Sequence, residues 1–424
     1  MLATPELISE AAEFERLAER LPRFLSDVPL YRRAEMPSPG ADSGTAREAL
    51  VRLPCITKQD IRREFPRNFL GDDARLEGLL EEEAVELEHT SGTSEERTAL
   101  LLPRGWWAEQ ELRALKLNPL VDRVLGEHPE ARRVTINSPV CSGDICYTGV
   151  PSRDDRIVGN SLFVNLSRYP FLWSETDLAR MAAEAVEWQP QFLDVDPVYG
   201  AVFALYCERR GIRLPSLRFI LCSYEFVSVL HRRILQRAFG VPVFDLYGST
   251  ETGHLMMEDE RGEMRPVYET AFFEVTESDK RGVGELIVSA FTNPYMPLLR
   301  YRIGDLVQRL DSPYHTRYQV HGRAVDAFRA ADGRRVTTWQ IDQNFAEVPG
   351  IAHYQLVERS DGPWRLRFVP EGAGPSTKAL TDLTQRLSEL LGLGGKLSLQ
   401  PTDMLVPETS GKFRLGYPLR REMA

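Results

Sequence analysis

Four short segments hold the residue types that could do chemistry. His89-Thr90-Ser91-Gly92-Thr93-Ser94 sets hydroxyls around a glycine. Such a turn lets amides and hydroxyls approach phosphate oxygens, although a polar hairpin turn has the same composition. Phe244-Asp245-Leu246-Tyr247-Gly248-Ser249-Thr250-Glu251-Thr252-Gly253 runs from an apolar stretch into a turn with glycines either side of hydroxyls and one carboxylate. Ligands collect at the carboxyl ends of strands in α/β sheets. Glu251 could hold magnesium there, a hard cation that takes a few carboxylates plus phosphate oxygens; a capping glutamate is the alternative. In Leu299-Arg300-Tyr301-Arg302-Ile303-Gly304-Asp305-Leu306 one carboxylate follows a glycine turn. It could accept both hydroxyls of a ribose, or pair with an arginine in a surface hairpin. Glu408-Thr409-Ser410-Gly411-Lys412-Phe413-Arg414 offers a lysine beside a glycine, able to reach into a neighbouring site.

The elements that must position these segments follow from periodicity. Between residues 84 and 250, β-rich runs are expected at 84–89, 98–102, 133–136, 162–166, 191–195, 217–222 and 241–246. Helical patterns fill the gaps at 107–125, 174–188, 198–210 and 227–239. Ser174-Glu175-Thr176-Asp177 resembles a capping box, and Gly211 and Gly240 are placed to stop helices. This alternation predicts an α/β domain with parallel strands and helical crossovers. The first 70 residues read as helices with a loop at 36–43, and Thr57-Lys58-Gln59-Asp60 looks like a helix cap. Past Gly253 the pattern turns β-rich, with strands expected at 271–276, 284–289, 307–310 and 318–320. Beyond His321-Gly322-Arg323, strands at 353–358, 364–369 and 396–400 and a helix at 376–391 outline a small α+β domain. The expected division is 1–322 and 323–424.

The 424 residues allow two or three domains, and 42% hydrophobic with 27% charged residues is ordinary for a soluble globular protein. Lys plus Arg number 52 against 62 Asp plus Glu, a net charge of −10, which argues against nucleic-acid or anionic-membrane partners. Any phosphate site is therefore local. No apolar run approaches a membrane span, and the Met1-Leu2-Ala3-Thr4-Pro5-Glu6 start lacks the blocks of a secretory signal. A cytoplasmic location is expected. The five cysteines include no C-x-x-C pair, and Cys141 and Cys146 have no histidine at ligand spacing, so neither a disulfide framework nor structural zinc is expected. Cys222, in an apolar run, reads as buried, and Glu81-Glu82-Glu83 as a solvated patch.

Taken in order, the four segments resemble those of the adenylate-forming superfamily of acyl-CoA synthetases, luciferases and adenylation domains. The glycine-rich turn is similar to its S-S-G-T-T-G-x-P, Tyr247-Gly248-Ser249-Thr250-Glu251 to its Y-G-x-T-E, and Tyr301-Arg302-Ile303-Gly304-Asp305 to its Y-R-T-G-D. Gly322-Arg323-Ala324-Val325-Asp326 resembles its hinge, and Ser410-Gly411-Lys412 its C-terminal lysine motif. The compact length, Val28-Pro29-Leu30-Tyr31 and Leu53-Pro54-Cys55-Ile56-Thr57-Lys58-Gln59-Asp60 are similar to the phenylacetate–CoA ligase branch. The resemblance implies a large N-terminal α/β domain with parallel and mixed sheets and a β-rich subdomain, plus a small mobile C-terminal α+β lid. It implies ATP-dependent activation of a carboxylic acid, aromatic from the branch alone, as an acyl-adenylate, then transfer to coenzyme A. By the same resemblance Thr90, Ser91, Gly92 and Thr93 bind phosphate with Gly248, Ser249 and Thr250 nearby, and Glu251 holds Mg2+. Asp305 and Arg323 fix the ribose. Tyr247 and Ser223-Tyr224-Glu225 line the adenine site, Asp245 accepts from its amino group, and Lys412 bridges carboxylate and α-phosphate. Tyr147, Phe163 and Asn165 are the candidates for the acyl pocket, each also readable as core.

One departure stands out. Where the family continues T-T-G-K-P, this chain has Thr93-Ser94-Glu95-Glu96-Arg97. A like charge about 5 Å from a phosphate costs roughly 3 kcal/mol at an effective dielectric near 20, so Arg97 must offset the glutamates or they must face solvent. Val325 also replaces an acidic residue common in the hinge. Three functions stay open: a CoA ligase, an adenylating enzyme with another acceptor (a carrier-protein thiol, an amine or nitrite), and a nucleotide-binding relative without turnover. A homodimer is likewise open.

Overall fold

Strands that read as near-continuous apolar runs are those buried on both faces, and here they form a parallel sheet. The computed structural model describes residues 10, 14–15, 18–32, 43–90, 97–138, 151–312 and 315–419. Its contacts divide the chain into two compact units. One comprises Met1–Asn118 with Leu246–Gln319, the other Pro119–Asp245 with Val320–Ala424.

In the second unit the sheet order is Val243–Ser249, Phe219–Cys222, Phe192–Val195, Arg133–Ile136, Ser161–Phe163 and Ile157–Val158. All neighbours are parallel except the last pair. Leu193 stands opposite both Val134 and Ile220, and these strands share one core with Phe203 and Ile234 from the crossover helices. Those helices are Glu175–Trp188, Pro197–Arg210 and Val229–Phe239. Ser174 and Asp177 close the expected capping box, and Gly211 and Gly240 end their helices in the left-handed conformation. The tail of this unit builds a four-stranded sheet ordered Leu397–Pro401, Trp364–Pro370, Ile351–Val357 and Gly416–Tyr417. The helix Thr377–Leu391 packs on it through Leu383 and Leu387, with Leu356, Leu366 and Phe345, and the cluster takes in Leu230 of the helix Val229–Phe239.

The first unit is antiparallel. Its strands run Ala271–Thr276, Val283–Ala290, Leu298–Asp311, the start of Thr316–Arg323, Met264–Pro266, Gly253–Glu258 and the end of Val243–Ser249. Val85–His89 and Ala99–Pro103 form a separate hairpin, with His89 opposite Ala99. Helices Leu21–Asp27, Ser43–Arg52 and Lys58–Arg62 precede it, the last closed by the capping box Thr57–Asp60.

Three expectations change. The helix expected at 107–125 is two, Trp106–Leu115 and Pro119–Glu127. Pro119 has no N–H and its ring disfavours a helix through it, so it opens a new one. The strand expected at 307–310 is the end of a fourteen-residue strand, Leu298–Asp311. The strand expected at 162–166 stops at Phe163. The loop expected at 36–43 lies, apart from Ser43, outside the described residues. Cys207 and Cys222 are buried, and Glu81, Glu82 and Glu83 are exposed, while Cys141 and Cys146 lie outside the described residues. Among the described residues no helix is long and apolar enough to cross a membrane.

Candidate active site

In the first unit, a turn after Val243–Ser249 delivers Glu251. A Cβ at Gly248 would come within 2.3 Å of the Gly253 carbonyl oxygen, so the turn closes only with glycine there. Glu251 is 6% exposed. Its Oε1 sits 2.8 Å from the Lys58 ammonium and accepts from the Tyr301 hydroxyl at 3.1 Å. Burial raises its pKa, but the Lys58 charge and hydrogen bond prevail and hold the carboxyl below its ordinary value. A buried carboxylate that already keeps a cation at one oxygen suits a hard divalent ion, and Glu251 is the residue that would hold Mg2+. Asp305, 8% exposed, accepts from the Tyr247 hydroxyl at 2.7 Å. Tyr301 and Asp305 lie on one strand, with a bulge and the left-handed Gly304 between them, and each meets the preceding strand-and-turn segment, Tyr301 at Glu251 and Asp305 at Tyr247. Thr90 is buried at the end of the hairpin, its Oγ1 accepting from the Thr98 N–H at 3.0 Å.

In the second unit the carboxyl ends of the parallel strands carry Asp194, Asp196 and Ser223. Asp194 accepts from the Ser223 hydroxyl at 2.8 Å and the Tyr224 hydroxyl at 3.1 Å, with Arg133 at 4.0 Å. Tyr224 has φ of 74°, a left-handed conformation rare for a bulky residue, and that backbone turns Glu225 toward the tail. Glu225 accepts from the Phe413 N–H. Asp196 caps the helix Pro197–Arg210 and is 1% exposed. Burial pushes its pKa up to about 7, against the N–H groups of Val198 and Tyr199 and the Lys412 charge. Burial and then the Asp196 charge hold Glu225 well above its ordinary value too. Lys412 is half-buried beside this pair. Its loop is clamped: the Tyr199 hydroxyl donates to the Gly411 carbonyl at 2.9 Å. Gly411 has φ of 86°, and a Cβ there would overlap Ser138 Oγ at 1.8 Å, so only glycine presents Lys412 in this way.

The first unit thus brings together Tyr247 with Asp305, and Glu251 with Ser249; the second brings together Ser223, Tyr224, Glu225 and Lys412. Thr250 is half-buried in the turn, Asp245 half-buried on its strand, and Arg323 exposed at a strand end. Phe163 is half-buried. The Asn165 amide is taken up by the Asn137 backbone, donating to its carbonyl at 2.6 Å and accepting from its N–H at 3.2 Å. Ser91, Gly92, Thr93 and Tyr147 lie outside the described residues. Sequence reasoning passed over Asp194 and Asp196, although a D-x-D at a strand's carboxyl end is a usable signal. It also gave Lys58 no role.

The chain is similar in sequence to the phenylacetate-coenzyme A ligase of Escherichia coli (strain K12), at 24% identity over 97% of this chain and 95% of that one. It matches the enzyme of the same name from Thermus thermophilus at 24% identity over 85% and 82%. No protein-family model matches it. A solved 2-hydroxyisobutyryl-CoA ligase in complex with 2-HIB-AMP superposes with TM-score 0.68 at 18% identity, covering 99% of this chain and 91% of that one. The chain is therefore similar over nearly its whole length to phenylacetate-coenzyme A ligases and shares the fold of a CoA ligase.

Proposed function

We propose that this protein is an AMP-forming acid–CoA ligase that activates a carboxylic acid, in our reading an aromatic one, with ATP. The observation that carries the reading is the retention of Glu251, Asp305 and Lys412 in the fold shared with CoA ligases. A carboxylate oxygen attacks the α-phosphorus of ATP, the bond to the pyrophosphate oxygen breaks, and an acyl-adenylate forms. The sulfur of coenzyme A then attacks the acyl carbon, the bond to AMP breaks, and the thiol proton passes to water. The first step calls for charge neutralisation and alignment more than for a covalent catalyst. Asp305, held by Tyr247, accepts the ribose hydroxyls; Thr90 and the turn that follows it bind phosphate. Mg2+ at Glu251 supplies neutralising charge when bound. Lys412 contacts the attacking carboxylate and the α-phosphate. In this reading the tail 323–424 is the lid domain that carries this lysine, and 1–322 is the core that binds ATP and acid.

Pyrophosphate release across a panel of carboxylic acids, with and without coenzyme A, tests the reading. Release with aryl or arylacetic acids, converted to thioester and AMP by coenzyme A, is the expected result. Release that never yields thioester moves the acceptor to another nucleophile, and no release with any acid removes the ligase reading.

A further inference from the structure

The segment Leu53-Pro54-Cys55-Ile56-Thr57-Lys58 has no part in the proposed chemistry, yet the first unit fastens it beside Glu251. The Ile56 N–H donates to the Arg300 carbonyl at 3.0 Å, and the Arg302 N–H donates to the Ile56 carbonyl at 2.9 Å. The Arg300 guanidinium binds the carbonyls of Val51 and Leu53. The segment therefore rides on the strand Leu298–Asp311, the one that supplies Tyr301 and Asp305. Thr57 then caps a short helix, with its N–H donating to Asp60 Oδ2 at 2.9 Å, and Lys58 is the first residue inside it. The backbone under Lys58 is held on both sides, while its side chain is 36% exposed and ends 2.8 Å from Glu251 Oε1. A flexible four-carbon stem on a fixed base lets a compact ammonium change partners over a few ångströms.

Charge supplies the reason to change. A buried carboxylate without a counter-charge is costly, so an empty site needs a cation at Glu251. ATP brings its own divalent ion for Glu251 and adds a strongly anionic tail. The sequence after Thr90 carries Arg97 but lacks the lysine of the related glycine-rich motif. Deepening the ligase reading and resting on it, we propose that Lys58 binds the triphosphate tail. Its ammonium holds Glu251 while the site is empty, and it passes to the β- and γ-phosphate oxygens when the nucleotide enters with its metal ion.

The test compares ATP with AMP, which lacks those two phosphates. Titration calorimetry is run on the full chain, as wild type, Lys58→Gln, Lys58→Met and Lys58→Arg, with Mg2+ present. Lys58→Gln keeps an N–H for Glu251 and so preserves the fold even where Lys58→Met does not; thermal melts check this. ATP affinity falls about ten- to a hundredfold in the glutamine variant, the loss of one charged hydrogen bond. AMP affinity is unchanged, and Lys58→Arg recovers most of the ATP affinity. Unchanged ATP affinity, or an equal loss for ATP and AMP, overturns the role of Lys58 and leaves the ligase reading standing. A wild-type chain that binds neither nucleotide overturns both.

Discussion

Tyr247 and Asp305 show how a residue's role is set by its partner. Asp305 is nearly buried with one carboxylate oxygen held by the Tyr247 hydroxyl, so it is aimed before any ligand arrives. If it holds both ribose hydroxyls, Asp305→Ala weakens ATP binding by about 3 kcal/mol or more, two charged hydrogen bonds at roughly 1.5–3 kcal/mol each. Its melting temperature stays close to wild type, since the Tyr247 hydroxyl that loses its acceptor is only part-buried and can turn to water. Titration calorimetry that finds the ATP affinity unchanged would sink the ribose assignment. Residues of this kind were legible in the sequence because glycines frame them: Gly304 before Asp305, Gly248 before Glu251, Gly411 before Lys412. Lys58 and Asp194 were not, since their partners come from distant segments and no local pattern marks the pairing.

At the scale of elements, caps and stops made the crossover helices legible: Ser174 with Asp177, and Gly211 and Gly240. The strand Leu298–Asp311 was legible only at its end, because Arg300, Arg302 and Asp305 interrupt its apolar pattern. The helix Val229–Phe239 carries the least legible feature, His231, whose Nε2 lies 3.1 Å from Nδ1 of His353 on the tail strand Ile351–Val357. Phe171 and Phe413 flank His353 at 5.8 and 5.2 Å. Burial pushes the His231 pKa down to about 3, and burial followed by the His231 charge pushes that of His353 well below 6.5. His231 is neutral in the fold and binds a proton only when unfolded through most of the range from about 3 to 6.5, and His353 is displaced in the same direction. Their stability is therefore present above about pH 6.5 and lost as pH falls, by about 1.4 kcal/mol per unit for each imidazole. Asp196 and Asp342, raised to about 7 and about 6, have the opposite sign. They take up protons in the fold before the unfolded chain does, and so gain stability as pH falls. His231→Gln isolates one imidazole. Between about pH 4.5 and 6.5 its unfolding free energy should vary less steeply than wild type by about 1.4 kcal/mol per unit. Denaturant unfolding at several pH values reads the difference, and parallel curves would show that the pair does not titrate on unfolding.

Over the whole molecule, the tail 320–424 shares one compact unit with residues 119–245. Asp342 accepts from the Ser228 hydroxyl and the Val229 N–H, and Arg233 donates to the Ala346 and Val348 carbonyls at 3.1 and 2.8 Å. Leu230 lies within the tail's own core. None of these anchors uses Lys412, so Lys412→Ala leaves the tail docked and reports on chemistry rather than folding. Asp196 and Glu225 lose a neighbouring cation and hold their protons more firmly, which keeps the vacated pocket tolerable. In the proposed reaction, charge concentrates on the α-phosphate and the attacking carboxylate during adenylate formation. Removing one positioned electrostatic contact there costs on the order of 3–4 kcal/mol, about a hundred- to thousandfold in rate. The second half-reaction starts from an activated mixed anhydride whose leaving group is AMP, and draws little on the same ammonium. Lys412→Ala should therefore fail to make adenylate from acid and ATP, yet still convert chemically made acyl-adenylate to thioester at close to the wild-type rate. Single-turnover assays of each half-reaction separate the two. Adenylate formation at the wild-type rate, or an equal loss in both halves from a folded variant, would refute a role confined to the first step.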